Sequence, residues 1–131
     1  MLRRMLARYQ MVRGKRPPGD PLPTGHRIDT RRHTRHVLRP PRDLVDEYLT
    51  DPTDAAWRTF ANGYRACLGE RFANTRQEFD ALADLARGDD VYIGCSCPTR
   101  TNPDVRHCHT VLALEFMKKH YRDLEVVLPK E

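Results

Sequence analysis

Val91-Tyr92-Ile93-Gly94-Cys95 is the stretch on which the fold turns. It is short, apolar and β-prone, it follows the helix-ending Gly88-Asp89-Asp90, and it reads as a buried strand. After a long loop, residues 111–121 carry the spacing of a helix, and residues 124–128 form a second short apolar run. Strand, loop, helix, strand is a βαβ unit, which predicts two parallel neighbouring strands with a right-handed crossover. The expected fold class is α/β: a small single-domain sheet, largely parallel and flanked by helices.

Upstream of this unit the pattern is helical. Residues 43–49 suit a short helix after Pro40-Pro41. Asp51-Pro52-Thr53-Asp54 supplies capping groups and a proline suited to a first turn. The helix it opens runs to about Leu68, with Trp57, Phe60, Tyr64 and Leu68 on one face and Gly69 as its stop. Thr75-Arg76-Gln77-Glu78 has the form of a capping box. The helix after it turns Phe79, Leu82, Ala83 and Ala86 inward.

The first third is different in kind. Leu2, Met5, Leu6 and Tyr9 fall at helical spacing, so residues 2–12 are expected as a short helix with Arg3, Arg4 and Arg8 off its apolar stripe. Residues 13–23, with four prolines and two glycines, read as an irregular loop. Residues 26–39 are dense in Arg and His and leave room only for a short strand. The expected organisation is a basic, Pro/Arg-rich arm over residues 1–42, packed on an α/β domain over residues 43–131.

The length of 131 residues fits one domain, large enough to bury a core without disulfides or a structural metal. No apolar run approaches the roughly eighteen residues that span a bilayer, which argues against a membrane partner. Charges interrupt the apolar residues of the N-terminus, unlike a secretory signal. A cytoplasmic location is the expectation, with the four cysteines as reduced thiols, metal ligands or redox groups. The net charge of +5 conceals an asymmetry. Residues 1–42 hold twelve Arg or Lys against Asp20 and Asp29, while residues 43–131 hold eleven basic and sixteen acidic residues. A nucleic acid or other polyanion could bind such an arm; alternatively, the arm folds back on its own acidic body.

The chemistry-bearing residues lie downstream of the first strand. Cys95 and Cys97 close it, and His107-Cys108-His109 stands near the start of the following helix. Ligands bind beyond the carboxyl ends of the strands in open parallel sheets, so both groups are expected at one site. Three mechanisms could use them. Cys108 or Cys95 could be a nucleophilic thiol, with His109 or His107 as base and the helix N-terminus favouring thiolate. Cys97 or Cys95 could form a reversible disulfide with Cys108. Zinc could be held by Cys95, Cys97, His107 and Cys108. Arg106 and Arg100 are candidates for binding an anionic substrate group. Asn102-Pro103-Asp104 competes as the helix start, which would bury Cys108 beyond the first turn. Cys67 falls on the face of the aromatic helix and belongs to the core.

The aromatic helix with Trp57, Phe60, Tyr64 and Leu68, then Leu82, Leu85 and Ala86, a strand ending in Cys95, and Cys108-His109 opening a helix together resemble the domain of unknown function 488 family. The resemblance spans residues 43–128. It implies a small α/β fold and an enzyme whose cysteines matter, with no established reaction. It marks Cys95 as the strand-end cysteine and Cys108-His109 as the Cys-His pair. Many members have an arginine after Cys-His, where this chain has Thr110, and an acidic residue two after the strand cysteine, where it has Cys97. Both departures favour a thiol-rich site able to bind metal or cycle in redox state. The chain also lacks a clear opening strand. The expected function is that of an uncharacterised thiol-dependent enzyme; a nucleic-acid-binding accessory protein and a small zinc module are the alternatives.

Overall fold

A computed structural model describes residues 4–129. Its elements are β1 (Leu6–Gln10), β2 (His26–Asp29), α1 (Arg42–Thr50), α2 (Asp54–Asn74), α3 (Arg76–Gly88), β3 (Val91–Cys95) and α4 (His109–His120). The three strands form a parallel sheet in the order β1-β3-β2. Every strand therefore ends at the same edge, and β3 delivers Cys95 there from the centre. Gly94 stands just before it in a crowded position, where a Cβ would come within 2.8 Å of the Tyr9 and Met11 side chains.

The opening strand exists, and it lies where a helix was expected. Leu6 pairs with Val91 in β3 on one side. On its other side the Leu6 N–H donates to Glu125 O at 2.8 Å and its carbonyl accepts from Val127 N–H at 2.9 Å. Pairing on both sides satisfies a five-residue segment too short to stabilise a helix by itself. The apolar spacing that suggested a helix includes Leu2, which lies outside the described residues. Residues 124–128 are correspondingly not a neighbour of β3. They contribute an isolated parallel bridge between Val126 and Leu6, with β1 in between. β1 and β2, the two outer strands, both come from the segment expected to be a basic arm.

Leu6, Val91 and Ile93 join a core built with Phe60, Tyr64, Leu68, Phe79, Leu112 and Leu114. α2 is capped as expected, Thr53 Oγ1 accepting from Ala56 N–H at 3.1 Å. It does not stop at Gly69 but runs to Asn74. Its last turn is tied down instead: Phe72 packs edge-on against Phe79 and Phe116, and Arg71 donates to the carbonyls of Val37 and Arg39. Because α3 follows almost directly, the Thr75 hydroxyl donates back to Arg71 O at 2.8 Å and makes no capping box. The segment between β2 and α1 is held onto this helix through Tyr64, whose fully buried hydroxyl donates to Leu38 O at 2.5 Å. Tyr64→Phe leaves that carbonyl without its donor and is expected to cost about 1–2 kcal/mol of stability, measurable by urea denaturation. No loss would mean that the bond is replaced by another donor.

Among the described residues, no helix is long and apolar enough to cross a membrane.

Candidate functional site

The carboxyl edge of the sheet opens into a cleft of about 310 Å³. Its deep end is made by Cys95 at the tip of β3, Cys97 just beyond, and Cys108. The three Sγ atoms all lie within 4.8 Å of one another. Cys95 and Cys108 are 8% and 2% exposed, and Cys97 is half-buried. All four cysteines are free thiols. Cys67 stands apart on α2, half-buried beside a second cavity with Glu70 and Arg71.

α4 begins at His109, with Cys108 as its N-cap in extended conformation. The competing start at Asn102 is not used. Asn102, 5% exposed, is instead a brace within the loop: its Nδ2 donates to His107 O at 2.5 Å and to Cys97 Sγ at 3.4 Å, while its Oδ1 accepts from Tyr48 Oη at 2.9 Å. One amide thus fixes the loop, α1 and a cluster sulfur together. The Gln10 side chain on β1 adds a bond to Pro98 O at 2.7 Å.

Three clustered thiols cannot share their protons evenly. Hydrogen bonds from Cys95 and then Cys97 favour ionised Cys108 and, with a smaller contribution from His109, outweigh its burial, so its pKa falls well below the ordinary thiol value. The same bond to Cys108, reinforced by Cys97 and by burial, pushes Cys95 far up. Cys97, also bonded to Cys108, is pushed up to about 11. The hydrogen bonding within the cluster thus favours the thiolate form of Cys108 and the protonated forms of Cys95 and Cys97.

Two further groups hold that thiolate in place. Thr110 Oγ1 lies 3.0 Å from Cys108 Sγ and accepts from Arg8 Nε at 2.9 Å, while Arg8 Nη2 donates to Cys97 O at 2.5 Å. With Cys108 ionised, the Thr110 hydroxyl is the donor, polarised by the guanidinium behind it. On the other side, the Thr30 hydroxyl donates to Gly94 O at 3.0 Å and so can only accept from His109 Nε2–H, also at 3.0 Å. His109 Nε2–H is thereby committed to Thr30, which leaves Nδ1 as the ring nitrogen available for proton transfer.

Of the residues singled out from sequence, Cys95, Cys97, Cys108 and His109 are brought together. His107 lines the cleft, but its ring stacks on Trp57 with centroids 4.9 Å apart, and it is not in the three-sulfur group placed to surround a metal ion. Arg106 is paired with Asp104 at 3.0 Å, and neither it nor Arg100 lines the cleft. The arginines that do so are Arg31 and Arg32, with His33, in the turn after β2. Tyr48, Leu49, Trp57 and Phe60 contribute the apolar part of the lining. Arg31 is held bidentately by Asp29 through Nε at 3.0 Å and Nη2 at 2.9 Å. Burial opposes the Asp29 charge, but the bonds to Arg31 prevail and keep its carboxyl below the usual range. Arg8, Arg31, Arg32 and Asn102 are the participants that sequence reasoning missed. Period-two alternation in β1, which puts Arg8 on the same face as Leu6 and Gln10, was the available signal for the first.

No curated protein and no solved structure matches the chain. The family model DUF488-N3a, described as the Active DUF488-N3 subclade, matches residues 22–121, which takes in β2, β3, all four helices and every cleft residue named above, while Arg8 and the rest of β1 precede it. By that match the chain belongs to the domain of unknown function 488 family.

Proposed function

We propose that this protein is a thiol-dependent enzyme whose nucleophile is Cys108. The observation that carries the reading is the gathering of three sulfurs within 4.8 Å at the deep end of a cleft, with Cys108 at the N-cap of α4. Two neighbouring thiols, the helix terminus and the Arg8–Thr110 pair all favour its thiolate. In the reaction, the Cys108 sulfur forms a bond to an electrophilic atom of the substrate. The leaving group departs with its bonding pair and takes the former thiol proton, carried by His109. Attack of water on the covalent intermediate, its proton passing to His109, then releases the product and restores both the thiolate and the protonated imidazole. The description of the family branch as active is in keeping with catalysis.

One observation favours a second reading. Three cysteine sulfurs at this spacing suit a zinc ion, with a fourth position left for another ligand or water. The basic arm gives the polyanion reading less support, because Arg8, Arg16 and Arg39 make bonds within the chain and Arg31 and Arg32 line the cleft.

The readings separate on protein purified without chelator. Thiol catalysis requires metal-free protein in which one cluster thiol reacts with iodoacetamide much faster than a free thiol at neutral pH, with peptide mapping to Cys108. Stoichiometric zinc, with Cys95, Cys97 and Cys108 unreactive until it is removed, would overturn it in favour of the metal site.

A further inference from the structure

The composition of the cleft's lining bears on what it binds. The lining brings Arg31, Arg32 and His33 together with the apolar Tyr48, Leu49, Trp57 and Phe60, and among the described residues no carboxylate lines the space. The acidic partners of the arginines, Asp29 and Asp46, are outside the lining. Asp29 grips Arg31 in two places and so fixes a guanidinium beside the cluster, close enough to interact electrostatically with Cys95. Arg32 and Asp46 are both substantially exposed, an ion pair of small worth that an incoming anion can replace. A volume of about 310 Å³ is at the lower end of the range for small-molecule sites and excludes a nucleic-acid duplex.

We propose that the cleft takes a small anionic substrate, its negative group held by Arg31 and Arg32 and its reactive centre set down on the thiol cluster. This rests on the thiol reading above and names the substrate class for it. The apolar part of the lining formed by Tyr48, Leu49 and Trp57 accommodates the uncharged remainder of the molecule. Cationic substrates are disfavoured by the same arginines.

Iodoacetate and iodoacetamide differ in charge and react alike: the thiolate sulfur bonds the methylene carbon, and iodide leaves with the carbon–iodine pair. Their rates at the cluster thiol, each divided by the rate with glutathione, give a ratio in which thiolate content and intrinsic reactivity cancel. The expected ratio favours iodoacetate by about tenfold, the lower end of what a charge-lined cleft does to association. It falls to that of a free thiol in Arg31→Gln/Arg32→Gln, and it shrinks as salt is raised. Should iodoacetamide react fast while iodoacetate shows no preference, the anionic substrate is refuted and the thiol reading stands. A preference that survives the double substitution refutes the assignment to these arginines. If neither reagent finds a fast thiol, the thiol reading fails and takes this inference with it.

Discussion

Cys108→Ser is expected to lower the alkylation rate of the cluster at neutral pH by a factor on the order of 30, since an ordinary thiol is only a few per cent ionised there. The nucleophile is the thiolate, and Cys108 is the sulfur whose thiol pKa the neighbouring thiols lower. Its thiolate absorbance in the ultraviolet disappears with it. Cys97→Ala leaves the nucleophile but deletes one of its donors, so the fast thiol remains and the midpoint of its pH–rate profile moves up. Exposure alone would predict the opposite ranking, because Cys97 is the more open sulfur. A large loss in Cys97→Ser with little change in Cys108→Ser would transfer the role to Cys97. Serine is close to isosteric with cysteine at the 2% exposed position, and unchanged circular dichroism and melting temperature are the check that the fold persists.

The parts of this site legible in the sequence are those in which local pattern and topology agree. An apolar run ending in Cys95 reads as a buried strand of a parallel sheet, and a helix that opens near Cys108 packs back on that sheet, so the thiols are expected together at its carboxyl edge. The N-terminal third failed for a physical reason. Met5, Leu6 and Tyr9 fit a helical stripe, and nothing local reveals that Leu6 will be paired by β3 and residues 125–127 on its two sides. With that misreading Arg8 fell on the solvent side, whereas alternation in a strand places it with Leu6 and Gln10 toward the cluster. Arg31 and Arg32 were visible only as two of many positive charges. Their role depends on β2 lying beside β3, which brings the turn after Asp29 to the same sheet edge as Cys95. Thr110 looked like the loss of an arginine after Cys-His. In the folded chain an arginine is supplied to that position from β1, with the threonine hydroxyl as the link.

The charge distribution within the thiol cluster also predicts how the fold responds to alkali. Cys108, whose folded pKa is depressed, contributes stability that is present above the ordinary thiol pKa and is lost as pH falls through the folded value. Cys95 and Cys97, both raised, contribute in the other direction: their stabilisation is complete below the ordinary thiol pKa and is lost as pH rises toward their folded values. Above pH ~8.5 the unfolded chain releases protons that these two thiols retain in the folded state, and each retained proton costs about 1.4 kcal/mol per pH unit. Counting Cys97 at half weight because it is half-open, the cluster is expected to cost on the order of a few kcal/mol between pH ~8.5 and ~10.5. Lysines and tyrosines titrate over the same interval, so the informative quantity is the difference from Cys95→Ala/Cys97→Ala, followed by urea denaturation at several pH values. That variant begins less stable, having lost buried sulfur, and its curve should fall less steeply, so the two lines converge as pH rises. Parallel lines would mean that the folded cluster releases its protons as readily as the unfolded chain does. The pairing of one thiolate with two protonated thiols would then be wrong, whatever the reactivity of Cys108.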